Sequence, residues 1–150
     1  ANKGNFEMIL DQTTLFSDQQ AITATAASTN SIDLGAMGTV ANAAGPLVRR
    51  LVAGGDGLPL MVQVTEAFNN LTSLKIDIEL DSTTTFTPDK TITLGTYLLA
   101  ELVKGFQIPW RYVPDGINLR YAQLKYTVTG TAPTLGKISA GIVADVQTAA

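Results

Sequence analysis

Hydrophobic and polar residues alternate along several stretches of the chain, and strict alternation is the pattern of a β-strand with one buried face. The clearest stretch is SLKIDIEL at 73–80, whose aliphatic face consists of Leu74, Ile76, Ile78 and Leu80. The opposite face, which we expect to lie in water, consists of Ser73, Lys75, Asp77 and Glu79. Segments 58–65, 118–129 and 137–147 alternate in the same way. The pattern therefore predicts four principal strands.

Weaker strand patterns occupy residues 21–27, 31–34 and 91–99, and FEMIL at 6–10 adds another candidate strand. The sequence GTAPTLG at 130–136 connects the last two principal strands and contains several residues that break strands. We therefore predict that these two strands form a long hairpin.

Helical periodicity is confined to residues 95–106. Four aliphatic residues could form a stripe on a short helix there, namely Leu98, Leu99, Leu102 and Val103. A strand followed by a turn fits the same segment, so both interpretations stay open.

Short strands separated by Gly, Pro, Asn and Asp clusters are typical of an antiparallel sandwich or barrel. We predict an all-β fold, an antiparallel β-sandwich or jelly roll, with at most one short helix near 97–104. A length of 150 residues fits one domain over 1–150. Residues 1–10 are a candidate N-terminal arm, and the Ala- and Gly-rich residues 36–57 are predicted to form a long irregular loop.

The composition narrows the classes of function. Only 15% of the residues are charged, against about 25% in an average soluble protein, which suits a chain that packs against other chains. The chain has no Cys and no His, so it lacks thiolate nucleophiles, Cys-bearing zinc sites and the usual proton shuttle near neutral pH. We therefore predict that the protein is not an enzyme and has no catalytic residues, no metal site and no cofactor.

Charge and hydropathy argue against two kinds of partner. The net charge is -3, and the ten Lys and Arg residues are scattered, so we expect no nucleic-acid binding. No apolar run approaches the roughly 20 residues that span a bilayer, and the start of the chain lacks a signal-peptide pattern. We therefore expect no membrane partner and an origin in the cytoplasm.

Two groups of residues could carry chemistry or binding. Asp77 and Glu79 share one face of a predicted strand and could form an acid/base pair or a calcium site, although a solvated face beside Lys75 explains them as well. The segment GFQIPWRYVPDG at 105–116 is rich in aromatic residues and contains an arginine, a composition typical of an interface anchor. Its rings could also plug one end of the sandwich.

Three blocks of the chain resemble the capsid cement proteins of tailed bacteriophages. The blocks are LFSDQQAITATAASTNSIDLG at 15–35, GDGLPLMVQVTEAF at 55–68 and INLRYAQLKYTVTG at 117–130. The chain departs from the family pattern at 36–54. The matching positions are Phe16, Ser17, Asp18, Ala21, Thr23, Thr25, Ser28, Asn30, Asp33, Leu34, Gly35, Pro59, Leu60, Arg120, Tyr121, Tyr126 and Thr127.

The resemblance implies a jelly-roll-like sandwich that assembles as a homotrimer on the outer surface of an icosahedral capsid. It also implies that the protein is made in the bacterial host cytoplasm, becomes part of the virion and stabilises contacts between major capsid protein subunits. We expect a low-charge strand edge and the aromatic segment to form the interfaces, with candidate residues Thr23, Thr25, Ser28, Phe106, Trp110, Arg111 and Tyr112. The alternatives are a carbohydrate-binding viral adhesion module, in which Trp110 or Tyr112 stacks on a sugar, and a hydrolase that uses a carboxylate pair.

Overall fold

The computed structural model describes residues 11–36, 38–39, 41–45, 52–53, 56–113 and 118–143. Within these ranges the regular structure consists entirely of β-strands, and no helix is present. The strands are β1 (Leu15–Ala21), β2 (Ala26–Ala27), β3 (Ile32–Asp33), β4 (Val52–Ala53), β5 (Asp56–Gly57), β6 (Leu60–Glu66), β7 (Leu71–Asp81), β8 (Lys90–Leu98), β9 (Tyr121–Gly130) and β10 (Lys137–Ile142).

The strands form two main antiparallel sheets. The smaller sheet has the order β1-β10-β6, and the larger sheet has the order β2-β9-β7-β8, with β3 also paired to β9. The short strands β4 and β5 form a separate pair within the segment 36–57. The predicted all-β antiparallel sandwich is confirmed.

The hydrophobic core contains residues from both main sheets, as the alternation predicts. The most deeply buried side chains include Leu74, Ile76, Ile78, Leu80, Leu124, Tyr126, Val62, Val64 and Ile138. These residues come from the four principal strands, so the pattern identified the inward face of each of them correctly.

The polar face of β7 differs from the prediction, because Asp77 and Glu79 are buried and do not lie in water. β7 is flanked by β8 and β9, and polar side chains of these neighbours reach the carboxylates. Thr93 on β8 donates to Asp77 over 2.7 Å, and Gln123 on β9 donates to Glu79 over 2.7 Å. A central position in the sheet therefore covers both acids.

The predicted hairpin of the last two strands is wrong, since β9 lies in the larger sheet and β10 in the smaller one. The chain leaves β9 at Gly130 with φ 93° and enters β10 after Gly136 with φ 132°. Between them, the main-chain N–H groups of Thr134 and Leu135 donate to the Asn69 side chain over 2.8 and 3.0 Å. These contacts carry the chain across to the other sheet.

The structure revises one weaker prediction and decides between two open interpretations. The segment 21–27 is not one strand, because β1 ends at Ala21 and the chain crosses to the larger sheet before β2 begins. At 97–104, β8 continues to Leu98 and turns follow, so the interpretation as a strand and a turn is correct and the helix is absent. The candidate strand at 6–10 lies outside the described residues.

Candidate functional site

The described part of the aromatic segment, residues 105–113, lies along the edge of β6 that faces away from β10. Main-chain hydrogen bonds of 2.8–3.1 Å join the two: Gly105 N to Val64 O, Val64 N to Phe106 O, Ile108 N to Val62 O, Leu60 N to Arg111 O and Val113 N to Leu58 O. Pro109, which has no N–H group, interrupts this pairing. The segment is thus an irregular extra strand held in place along its length.

Side chains of the aromatic segment point both inwards and outwards. Phe106 packs edge-to-face on Tyr97 with ring centroids 5.5 Å apart, and Val113 is buried. Trp110 is 40% exposed and Tyr112 is 51% exposed, and the Trp110 Nε1–H donates to the Tyr112 carbonyl over 2.6 Å. The segment therefore plugs the core at one point and presents a fixed aromatic patch, which we define as Trp110, Arg111 and Tyr112.

The threonine-rich edge around β2 has less capacity for binding than the sequence indicated. The Thr25 hydroxyl accepts a hydrogen bond from the Val128 N–H over 3.0 Å. Ser28 is buried, where its hydroxyl donates to the Asn30 carbonyl over 2.8 Å and accepts from the Leu124 N–H over 3.0 Å. Ser28 is therefore a packing residue and not a surface contact, whereas Thr23 is exposed.

The candidate interface residues lie at two opposite ends of the sandwich. Thr23 follows Ala21, which pairs with Lys137 at the start of β10. Tyr112 forms a bridge with Pro59, whose carbonyl accepts from the Val143 N–H just beyond the end of β10. The structure therefore separates Thr23 from Trp110 and Tyr112, whereas Phe106, whose carbonyl accepts from Val64 beside Ile138, lies towards the Thr23 end. One partner surface would not contact Thr23 and Tyr112 together.

The first resemblance block, 15–35, forms the corner that joins the two sheets. Ser17 on β1 contacts Tyr126 on β9 through their hydroxyls at 2.8 Å, and Ser17 donates to Gln20 over 2.7 Å. At the far end of the corner, Arg120 makes two 2.8 Å hydrogen bonds to the Asp33 carboxylate, which raise the pKa of Arg120. These positions therefore support the fold, a role that the sequence comparison could not assign.

Two of the three acids of β7, Asp77 and Glu79, form a neutralised polar row on the outer side of the larger sheet. The Lys75 ammonium lies 3.1 Å from Asp77, and the Lys125 ammonium lies 3.8 Å from Glu79. No group of three or more potential metal-ligating side chains occurs in the described part of the chain. This arrangement can link strands, because Asp77 and Glu79 each have a cationic partner.

Sequence reasoning missed three exposed aliphatic residues, Leu98, Val103 and Leu135, at the end of the sandwich that also carries Thr23. Leu98 and Val103 belong to the four residues that could form a helical stripe, and neither open interpretation of that segment predicted their exposure. Leu135 stands between Pro133 and Gly136 in a connection, and a large aliphatic residue between two strand breakers was the available signal.

Comparison with protein families decides the affiliation of the chain. The Bbp16 family model matches residues 16–142, from Phe16 in β1 to Ile142 at the end of β10. The chain belongs to the Bbp16 family. Bbp16 is a phage-related family, and its match includes both main sheets, the corner and the aromatic segment. Comparison of this Bbp16-family chain with curated proteins gives no significant match. Among the described residues, no helix is long and apolar enough to cross a bilayer.

Proposed function

We propose that this Bbp16-family chain is a non-enzymatic capsid cement protein, also called a decoration protein. It binds the outer surface of an icosahedral phage head as a homotrimer and stabilises contacts between major capsid protein subunits. The observation that carries the proposal is the aromatic patch, fixed to the sandwich and exposed to solvent, in a chain of a phage-related family.

The aromatic patch has the properties of an interface anchor. Trp, Tyr and Arg are the residues that most often dominate binding energy at protein interfaces. The hydrogen bonds from residues 105–113 to β6 hold the backbone of the patch in place, so binding has little backbone entropy to remove. A flat capsid surface with an apolar recess is the kind of partner that such a patch fits.

Each contact needs only moderate strength. A standard interface of about 1,600 Å² can supply several kcal/mol, and simultaneous binding by the subunits of one trimer multiplies the apparent affinity. Because many trimers act on one closed shell, the weak contacts together oppose its opening. Contacts of moderate strength are what we expect from a chain with few charged residues, which would bind its partner mainly through neutral polar and apolar groups.

The proposal is tested by heating phage heads with and without the protein. Decorated heads should rupture at a higher temperature than stripped heads, and protein carrying W110A and Y112A should fail to restore this difference. The matched control is Thr84→Ala, which changes an exposed side chain in the turn between β7 and β8. Equal rupture temperatures for bare heads and heads decorated with the wild-type protein would contradict the proposal.

Carbohydrate binding is the second candidate, and the exposure of Trp110 and Tyr112 favours it, because sugar rings stack on such side chains. A glycan array separates the two candidates. Specific signals that disappear with W110A, together with no binding to stripped heads, would favour the adhesion module.

A further inference from the structure

The turn between β7 and β8, residues 82–89, carries two aspartates that have no cationic partner. Asp81 ends β7, and Asp89 stands directly before β8. The ion pairs in the described part of the chain include neither of them. The other acids of β7, Asp77 and Glu79, each pair with a lysine. The turn therefore holds two carboxylates whose charge no basic side chain compensates at ion-pair distance.

One carboxylate oxygen of Asp81 is buried without a hydrogen-bond partner. Asp81 is 2% exposed, and its Oδ2 atom is closed to solvent and accepts no hydrogen bond from the described part of the chain. The other oxygen, Oδ1, accepts from the Thr83 N–H over 2.8 Å and from the Thr83 hydroxyl over 3.1 Å. These bonds direct the carboxylate into the turn, so Oδ2, which is attached to the same carbon, lies at its base. A buried carboxylate oxygen of this kind is costly unless a positive charge compensates it.

Further oxygen atoms of the turn surround the two carboxylates. The Ser82 hydroxyl lies 3.5 Å from Asp81 Oδ1 and donates to Asp89 Oδ2 over 2.9 Å, so it stands between the two acids. The Ser82 N–H also donates to Asp89 Oδ2, over 3.1 Å. The hydroxyls of Thr83 and Thr85 lie 2.8 Å apart. Carboxylate, hydroxyl and carbonyl oxygens are the ligands of hard cations, and Ca²⁺ takes about six to eight of them.

The spacing of these residues matches the first part of a calcium-binding loop. In an EF-hand loop every second residue from the first to the ninth supplies a ligand, directly or through water, and the sixth is a glycine that makes the sharp turn. Counted from Asp81, oxygen-bearing side chains stand at these same alternate positions, namely Asp81, Thr83, Thr85, Thr87 and Asp89. Phe86 stands at the sixth position and has a left-handed φ of 46°. Ile92 stands where the EF-hand loop ends on a glutamate, so we expect weaker binding.

We propose that Asp81 and the turn 82–89 bind Ca²⁺. The charged ligands are Asp81, through Oδ2, and Asp89, and hydroxyl, main-chain and water oxygens complete the coordination. Residues 82–85 and 87–89 are exposed, so the turn can open to admit the ion. Mg²⁺ fits less well, because it demands near-ideal octahedral geometry and gives up its water reluctantly.

This site changes one expectation from composition. The absence of His and Cys argued against a metal site, but calcium uses oxygen ligands and needs neither residue. The site lies outside the aromatic patch, and the inference does not depend on the proposed cement function.

The first test uses Tb³⁺, which occupies calcium sites and emits light when a nearby tyrosine is excited. Tyr121 on β9 pairs with Asp81 on β7. We expect tyrosine-sensitised emission from the purified chain, displaced by Ca²⁺ and not by the same concentration of Mg²⁺. Asp81→Asn and Asp89→Asn should each weaken Tb³⁺ binding at least tenfold. The matched control is Asp11→Asn, since the Asp11 carboxylate also accepts from the N–H two residues on but is exposed.

The second test measures thermal melting with Ca²⁺, with Mg²⁺ and with NaCl at equal ionic strength. For a dissociation constant of about 1 mM, 10 mM Ca²⁺ should raise the wild-type midpoint by about 3–6 °C. Neither Asp81→Asn nor Asp89→Asn should show this rise, whereas Asp11→Asn should show it in full. Circular dichroism establishes that each variant folds, and Asp89→Asn, at an exposed position, keeps the test valid if Asp81→Asn does not fold.

Three outcomes would overturn the proposal. The first is a wild-type midpoint that Ca²⁺ raises no more than NaCl does. The second is a calcium response that persists in both Asp81→Asn and Asp89→Asn, which would place the ion elsewhere. The third is an equal response to Mg²⁺, which would reduce the effect to unspecific screening of the two acids.

Discussion

The hydroxyl oxygen of Ser17 on β1 lies 2.8 Å from the phenolic oxygen of Tyr126 on β9, deep between the two sheets. Ser17 also donates to Gln20, so the Tyr126 hydroxyl is the donor in its contact with Ser17. This pair fixes the smaller sheet to the larger one through a polar contact in an otherwise apolar core. Its members come from two separate resemblance blocks, 109 residues apart in the chain.

Removing the Ser17 hydroxyl and removing the Tyr126 hydroxyl should both destabilise the fold, but by different amounts. Ser17→Ala leaves the buried phenol without an acceptor and should cost about 2 kcal/mol, whereas Tyr126→Phe removes the buried donor and should cost about 1 kcal/mol. Urea unfolding measures both, with Tyr112→Phe at the exposed patch as a control near zero. If the effects of Ser17→Ala and Tyr126→Phe are simply additive in the double variant, the contact does not couple the sheets.

Alkaline pH should weaken the fold through Tyr126. Burial raises the pKa of Tyr126 above its ordinary value of 10.0, with a smaller opposing effect from Ser17. The phenol therefore ionises more readily in the unfolded chain, and its contribution is complete below pH 10.0 and lost as pH rises through the higher folded pKa. Unfolding free energies between pH 8 and pH 11 should fall less steeply for Tyr126→Phe than for the wild-type protein. Some slope should persist, because burial also raises the pKa of Tyr97. Identical slopes for the two proteins would contradict this assignment.

Gly136 should tolerate no larger residue. Its φ of 132° disfavours a side chain, and an added Cβ would overlap the Phe68 ring. We expect Gly136→Ala to cost roughly 2 kcal/mol or more, because backbone strain and steric overlap add. Gly38→Ala is the matched control, since nothing lies within 4 Å of its added Cβ. If Gly136→Ala and Gly38→Ala melt at similar temperatures, the connection between β9 and β10 can change its backbone conformation to accommodate a side chain at position 136.

Glu66 should contribute to stability near neutral pH and not in acid. The Gly136 N–H, and to a lesser extent Lys137, lower the pKa of Glu66 below 4.5. The stabilisation is therefore present above pH 4.5 and lost as pH falls through the lower folded pKa. Glu66→Gln should be less stable than the wild-type protein at pH 6, and the difference should shrink at pH 3. Lys137→Gln should show a smaller effect, because the Gly136 donor remains. If Glu66→Gln and the wild-type protein differ in stability by the same amount at pH 6 and at pH 3, ionisation of Glu66 does not contribute to stability.

Local sequence pattern predicted the strands well because alternation records which face of each strand is buried. Leu74, Ile76 and Ile78 on β7 illustrate this, since each points into the core as expected. The burial of Asp77 was not predictable in this way, because it depends on β8 and β9 lying on both sides of β7. The order of strands is a property of the whole sheet, so it cannot be inferred from the sequence of residues 73–80 alone.

The crossover after β9 shows a second limit of local pattern. Gly130 and Gly136 signalled that the strand breaks, but they could not show which sheet the next strand joins. The connection is held by Asn69, which lies 65 residues from Thr134 in the sequence. A contact this distant has no local periodicity, so the simplest connection, a hairpin, was predicted in its place.

The candidate surfaces were predictable to different degrees. The composition of residues 105–116 pointed to Trp110 and Tyr112, and the structure places both at the surface. The same reasoning included Ser28, whose hydroxyl is used by the main chain of β9 and the corner. Polarity alone does not separate a hydroxyl that binds a partner from one that satisfies its own backbone.

The most direct measurement of the central claim is a cryo-EM map of the purified phage particle at side-chain resolution. The account predicts density for this sandwich on the outer surface, with Trp110 and Tyr112 against the major capsid protein. A particle whose outer surface lacks this chain would contradict the cement function.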